Sequence, residues 1–120
     1  MKFIQKSLLW AVLFGAFTSI AFGFPVSEAA KHVGESGIVT GTVSQVYVSK
    51  SGNVFLNFDG SYPNQVFSAT IFKDHVSQFP GGAKDLQAME GKEVTITGKI
   101  KEYKGKPEII VSEPSQIQVK

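Results

Sequence analysis

The sequence predicts an all-β fold with little helix: a small, closed, five-stranded antiparallel barrel formed by residues 24–120. Two observations support this. Apolar and polar residues alternate with a period of two through several short segments, which is typical of half-buried strands. Clusters of Gly, Ser, Asn and Pro separate these segments, as in small barrels and sandwiches. The barrel is organised around Asn53–Asp59 and the run 65–72 that follows, which we interpret as its second and third strands.

An apolar leader precedes this domain. Lys2 and Lys6 give residues 1–23 a positive start, and an apolar run of about 15 residues follows, which ends near Gly23. This pattern is typical of a secretory signal peptide cleaved between Gly23 and Phe24. The alternative is an uncleaved anchor, but the run is shorter than the roughly 20 residues of a spanning helix. We therefore expect an exported protein, periplasmic or secreted, that has no membrane contact after cleavage.

Composition restricts the possible functions. Two of the 12 basic residues lie in the leader and all 10 acidic residues lie beyond it, so the mature domain has a net charge near zero. The chain contains no arginine, the side chain best suited to bidentate phosphate contacts. It also contains no cysteine, so no disulfide can hold the domain together. A domain of this size still buries roughly 60–70% of its unfolded surface, which is enough for one core.

The first predicted elements are a short helix and a long strand. Ser27 is expected to cap a helix over 28–33 that ends at Gly34 and covers one end of the barrel. Residues 36–49 form the first strand, in which Gly41 allows a bend and a bulge shifts the alternation. The helix residues expected to face inward are Ala29, Ala30 and Val33.

The remaining strands follow from turn signals and alternation. A hairpin turn at 50–53 leads to the second strand, 54–59, and a turn at 60–64 leads to the third, 65–72. The segment 73–89 has no strand pattern and holds a helical turn at 85–89. The elements that follow are the fourth strand at 93–103, a hairpin turn at 104–106, the fifth strand at 107–112, and a last edge pairing at Ile117 and Val119.

The predicted order is three strands, a short helix and two more strands, and the first strand is long and bent. This is the order of the OB-fold, a five-stranded Greek-key barrel. An open five-stranded sheet and an SH3-like barrel are the alternatives. The long segment between the third and fourth strands favours the OB order.

Five runs of the sequence form a pattern that is shared with a known family. The runs are GTVSQVY at 41–47, SGNVFLNF at 51–58, YPNQVF at 62–67, EGKEV at 90–94 and GKIKEYKGKPEI at 98–109. They resemble the nucleic-acid-binding OB domains of the tRNA-anticodon and helicase type, and most of all small exported bacterial versions. The resemblance implies an OB-fold and binding of single-stranded DNA or RNA.

An OB-fold binds its ligand across the second and third strands, between the first hairpin loop and the loop joining strands four and five. The turns at 50–53 and 103–106 therefore flank the expected groove. In the third strand Phe67, Ala69 and Ile71 form the core face, which leaves Ser68 and Thr70 outward.

The second strand leaves two options open because both of its faces carry large side chains. Either Phe55 and Asn57 face the groove, or Leu56 and Phe58 do. The other pair then fills the core.

Binding of a single strand needs aromatic planes for stacking and cations along the backbone. Asn57 could hydrogen-bond a base edge or a sugar. Simpler interpretations are core packing for the phenylalanines, packing with a wet hydroxyl for the tyrosines, and a solvated hairpin for the lysines. The expected planes are Tyr47, Tyr62 and Tyr103, and the expected cations are Lys50, Lys99, Lys101, Lys104 and Lys106.

The sequence has no catalytic or metal-binding motif, so we expect a protein that is not an enzyme and has no cofactor. Nucleases of the staphylococcal type share the barrel but use arginines with acidic metal ligands. His32 and His75 lie in unrelated segments with no triad around them. Asp59 stands beside Gly60, where a carboxylate is ordinarily a turn residue.

Two functions follow for a monomer of this kind. The first is weak, sequence-tolerant binding of single-stranded DNA or RNA. The second is a periplasmic accessory module that binds a protein or a small ligand in the same groove. Charge distribution separates the two hypotheses, because converging lysines favour the first, whereas Asp59, Glu102 and Glu108 on that face favour the second.

Overall fold

The computed structural model describes residues 22–120, and most of the predicted leader lies outside these residues. Within the described residues seven strands and four short helices follow one another. The strands are β1 (Phe22–Pro25), β2 (Ser36–Val48), β3 (Val54–Phe58), β4 (Phe67–Ile71), β5 (Glu93–Tyr103), β6 (Lys106–Ile110) and β7 (Ile117–Val119). The helices are an N-terminal 3₁₀ helix (Val26–His32), α1 (Lys73–Val76), α2 (Ala83–Gln87) and a C-terminal 3₁₀ helix (Pro114–Gln116).

Five of the strands close into a ring. β2 pairs with β3, β3 with β4, and β4 lies parallel to β6; β6 then pairs with β5, and β5 returns to β2. The ring strands β2 to β6 are the five strands that the sequence predicts, in the OB order, so the predicted OB-fold is confirmed. The prediction of an antiparallel barrel is wrong at one pairing, because β4 and β6 run parallel where the ring closes. β7 adds the expected edge pairing against β5.

The long strand β2 belongs to both halves of the barrel. Its first part, Ser36–Thr42, pairs with β5, and its second part pairs with β3 from Val43 onward. The register shifts between Val43 and Gln45, which confirms the predicted bulge. Gly41 precedes the change of partner, and a Cβ there would lie 2.7 Å from Val26 Cγ1. Glycine is therefore needed at this position because the N-terminal 3₁₀ helix packs so closely against the strand.

The N-terminal helix differs from its prediction. It is a 3₁₀ helix that begins after Pro25, so Ser27 lies within it, and no side chain caps its start. Gly34 follows with a φ of 95° and donates its N–H to the Ile100 carbonyl, as expected for a stop. A 3₁₀ helix has three residues per turn, so residues three apart share a face. The buried pair is accordingly Val26 and Ala29, whereas Ala30 and Val33, predicted to face inward, are exposed.

The segment between β4 and β5 holds two helical turns, α1 and α2, where the sequence predicted one. Both are short, and they differ in their packing, since α1 has no buried residue and α2 has one. Phe79, between them, and Leu86, on α2, are buried against the barrel. The segment therefore covers the barrel at this point.

Strand β1 spans the predicted cleavage position. Phe22 and Gly23, which we assigned to the leader, pair in parallel with Gly37 and Ile38 of β2. Cleavage after Gly23 stays a prediction, and it would remove half of this strand. Within residues 22–120 no helix has the length and apolarity to cross a membrane.

Candidate functional site

A groove of about 910 Å³ runs across the outer face of β3 and β4. Its walls come from the end of β2, the loop between β3 and β4, and the β5–β6 hairpin. The lining residues divide into an aromatic rim, a polar floor and a few charged side chains. They include Gln45, Tyr47, Phe55, Asn57, Tyr62, Gln65, Ser68, Thr70, Phe72, Tyr103, Lys104, Lys106 and Glu108.

The structure decides between the two options for strand β3. Leu56 and Phe58 are fully buried in the core, and the Phe58 ring packs edge-on against Phe67 with their centroids 5.4 Å apart. Phe55 and Asn57 therefore face the groove. On β4 the prediction is confirmed, since Ser68 lines the groove beside Asn57, its partner in the neighbouring strand.

The aromatic rim consists of side chains that keep much of their surface in solvent. Tyr62 is 71% exposed, Tyr103 59%, Tyr47 49% and Phe72 44%. Tyr47 stacks on Phe55 with a centroid distance of 6.1 Å. Planar rings that stand open around a cleft are suited to stacking against planar ligands.

The polar floor is joined by hydrogen bonds that we call the amide relay, formed by Gln45, Asn57, Ser68 and Gln65. Gln45 Oε1 accepts from the Tyr62 backbone N–H at 3.0 Å and from Asn57 Nδ2 at 2.8 Å. Asn57 Oδ1 accepts from the Ser68 hydroxyl at 2.8 Å. Gln65 Nε2 in turn donates to Ser68 Oγ over 3.4 Å. The relay holds the floor side chains in fixed orientations.

Three charged side chains line the groove. Lys104 Nζ lies 5.3 Å from the centroid of the Tyr103 ring, which leaves it on the rim. Lys106 Nζ donates to the Gln65 carbonyl at 2.9 Å. Glu108 accepts from the Thr70 hydroxyl at 2.9 Å. Two cations thus share the groove with one carboxylate, so its potential is mixed and only weakly positive.

The structure brings most of the predicted site residues together. Lys50, Lys99 and Lys101 do not line the groove. Lys99 pairs with Ser36, where β5 runs beside β2 and away from the groove, so the five lysines do not converge as expected. The eight that line the groove are Tyr47, Asn57, Tyr62, Ser68, Thr70, Tyr103, Lys104 and Lys106.

Sequence reasoning missed Gln45 and Gln65 as site residues. Gln45 could have been found from the bulge, because the phase shift after Val43 puts residues 45, 47 and 49 on the groove side of β2. Gln65 carries no such signal, since a polar residue after a turn ordinarily faces solvent. It is nevertheless buried.

The histidines take no part in this site. His32 contacts Glu35 at 3.0 Å and stacks on Phe24 with a centroid distance of 4.1 Å. His75 lies in α1 and contacts Gln78. In the part of the chain that the structure describes, no three His, Cys, Asp or Glu side chains are placed to hold a metal ion.

No protein-family model and no curated protein sequence matches the chain. Solved structures share its fold. The aspartyl-tRNA synthetase of Entamoeba histolytica aligns with a TM-score of 0.58 and 13% identity, covering 98% of this chain and 26% of that chain. The asparaginyl-tRNA synthetase of the same organism gives 0.56 and 19%, covering 83% and 24%. The S. pombe Stn1-Ten1 complex gives 0.51 and 14%, covering 71% and 57%.

These likenesses establish the OB-fold. The chain spans about a quarter of each synthetase and 57% of the Stn1-Ten1 chain. At this level of identity they speak for the fold alone, so the function has to be argued from the groove.

Proposed function

We propose that this protein is an exported, single-domain OB-fold protein that binds single-stranded DNA or RNA weakly, across β3 and β4. The observation that carries the proposal is the aromatic rim. Tyr47, Tyr62 and Tyr103 stand exposed around the groove, with the Lys104 ammonium beside them. Single-stranded nucleic acids bind to stacking planes combined with cations along the backbone.

The structural neighbours support a nucleic-acid ligand. Two of them are named as synthetases that act on tRNA. The groove of this chain crosses the same strands on which OB-folds bind oligonucleotides. Proteins that bind their ligand by stacking tolerate many sequences, because every base has a flat face.

The electrostatic contribution should be small. Two lysines, Lys104 and Lys106, line the groove. At about −0.7 per neutralised phosphate, log K should fall against log salt with a slope of about −1.4. Stacking supplies roughly 1–3 kcal/mol per base, so the aromatic rim should provide most of the affinity.

Fluorescence anisotropy tests the proposal with the purified protein and labelled single-stranded DNA and RNA oligomers, titrated from low to physiological salt. We expect saturable binding and the shallow slope given above. Lys104→Gln should flatten the slope by about 0.7, and Lys99→Gln, which lies outside the groove lining, should leave it unchanged. Absence of binding at low salt would refute the nucleic-acid function.

A second candidate is an accessory module that binds a protein or a small ligand in the groove. Glu108 favours it, because a carboxylate on the floor repels phosphate. The near-zero charge of residues 24–120 points the same way. A pull-down with the immobilised protein tests this function. A partner that binds the wild type and does not bind Tyr62→Ala supports it, whereas a partner that binds both proteins contradicts use of the groove.

Export is part of the proposal and rests on the leader pattern. The protein should be found outside the cytoplasm with Phe24 as its first residue. Mass spectrometry of protein recovered from the producing cells measures this directly, and a mass that includes residues 1–23 would contradict cleavage.

A further inference from the structure

One atom in the groove floor lacks a partner. Gln65 is 8% exposed, and among residues 22–120 its Oε1 is the one buried side-chain polar atom without a hydrogen bond. An unsatisfied buried acceptor costs about 1–3 kcal/mol. Such atoms are rare in folded proteins and each calls for an explanation. Here the residue also lines the groove, so the missing partner can be a ligand atom.

The amide relay fixes which atom of Gln65 is left over. The Tyr62 backbone N–H can only donate, so the atom of Gln45 that it contacts must be the oxygen. The same oxygen accepts from Asn57, so the Asn57 nitrogen faces Gln45 and its oxygen faces Ser68. The single Ser68 proton is thereby used, and Gln65 must turn its nitrogen to Ser68. The Tyr62 backbone N–H thus orients every side chain of the amide relay, and Gln65 Oε1 is the oxygen left without a donor.

From this orientation we infer that the groove floor is a nucleobase subsite that prefers bases carrying an exocyclic amino group, because Gln65 Oε1 is a buried acceptor and an amino group projects farther from the ring than a ring N–H does. This inference rests on the proposed function and adds to it a preference at one base position. A phosphate has no donor to offer the oxygen. The oxygen is buried, so the donor must belong to a group that enters the floor between the rim side chains, as a flat base can.

The clearest distinction is between cytosine and thymine. The two pyrimidines have similar size, but cytosine carries an amino donor where thymine carries a carbonyl acceptor. Cytosine would complete the relay with its projecting amino group, whereas thymine carries a carbonyl oxygen at that position and has only its recessed ring N3–H to donate to Gln65 Oε1. Glu108, whose carboxylate also lies in the groove, acts in the same direction since it too prefers a donor.

The test compares the affinity of the purified protein for oligo(dC) and oligo(dT) of equal length, by anisotropy at constant salt and at a slightly alkaline pH that keeps cytosine neutral. One hydrogen bond gained predicts about fivefold to tenfold tighter binding of oligo(dC). Neither probe carries 2′-hydroxyls, so a sugar donor cannot cause a preference for oligo(dC).

Two variants then test the assignment. Gln65→Met keeps the length of the side chain and removes the acceptor, so the two oligomers should bind equally. Ser68→Ala removes the group that orients Gln65, which lets the amide turn its nitrogen outward. Oligo(dT) should then gain affinity, a change that a purely structural role of Ser68 would not produce. Gln118→Met, an exposed glutamine on β7 outside the groove, is the matched control and should keep the preference.

The outcomes separate this inference from the proposed function. Equal binding of both oligomers by the wild type would overturn the subsite and leave the nucleic-acid function standing. A preference for oligo(dC) that survives Gln65→Met would overturn the role of Gln65. Failure of both oligomers to bind would overturn the proposed function and the subsite together.

Discussion

The two faces of strands β3 and β4 are both largely closed to solvent, yet they are built in opposite ways. On the core face Leu56, Phe58 and Ala69 are fully buried and pack with apolar neighbours. On the groove face Asn57 and Thr70 are each 2% exposed and are held by hydrogen bonds. Burial of apolar side chains is favourable in itself, whereas burial of polar ones is tolerated only when they are paired.

One pair of strands therefore serves two purposes. The core face is complete within the chain, since its members satisfy one another. The groove face ends in Gln65 Oε1, which nothing in the described residues satisfies. Stability should therefore depend mainly on the first face, and recognition on the second.

The largest effect should come from the core face. Phe58→Ala removes a fully buried ring that packs against Phe67, so the free energy of unfolding should fall by about 3–5 kcal/mol. Denaturant unfolding measures the loss. The matched control is Phe55→Ala on the other face of the same strand, where a half-buried ring should cost roughly 1–2 kcal/mol. Equal losses would contradict the assignment of the two faces.

A smaller effect is expected where the N-terminal 3₁₀ helix meets the core face. Gly41→Ala would put a Cβ 2.7 Å from Val26 Cγ1 and 3.2 Å from Phe58 Cδ2, and overpacking of this kind costs about 1–3 kcal/mol. In a Val26→Ala background the added cost should fall below about 1 kcal/mol, because the main clash is gone. Thermal or denaturant unfolding of the four proteins in this cycle provides the measurement. If Gly41→Ala costs as much stability in the Val26→Ala protein as in the wild type, the close packing of Gly41 against Val26 is contradicted.

Substitutions on the groove face should change the affinity for a single strand and have little effect on the free energy of unfolding. Tyr103 is 59% exposed, so Tyr103→Ala should leave the free energy of unfolding within about 0.5 kcal/mol. Loss of its plane should weaken single-strand binding by about 1–3 kcal/mol. Tyr103→Phe keeps the plane and should keep the affinity. If Phe fails as Ala does, the hydroxyl rather than stacking is responsible, and the aromatic rim loses its proposed role.

Strand alternation was a reliable guide wherever the two faces differ in chemistry. On β4, Ser68 and Thr70 alternate with apolar residues, so their side of the sheet could be predicted. On β3 both faces carry a phenylalanine, and the pattern alone left two options. The decision came from packing, because the Phe58 ring is buried in the core and packs against Phe67, its partner on the adjacent strand β4.

The lysines show where a local pattern fails. Lys99 and Lys101 alternate outward on β5 as predicted. However, β5 is long and joins both halves of the barrel, so its outer face does not look into the groove along its whole length. Only the hairpin that follows, with Lys104 and Lys106, reaches the site.

Local patterns in the sequence were enough to predict the strand order, the bulge in β2, the turns and the rim tyrosines, because these depend on local backbone preferences and on a period of two. Three features could be read only from the folded chain: which face of β3 is core, which lysines line the groove, and the burial of Gln65 with an unpaired oxygen. The physical reason is that burial and hydrogen-bond partners are set by elements distant in sequence. The partner of Gln45, for example, is Asn57 on the neighbouring strand.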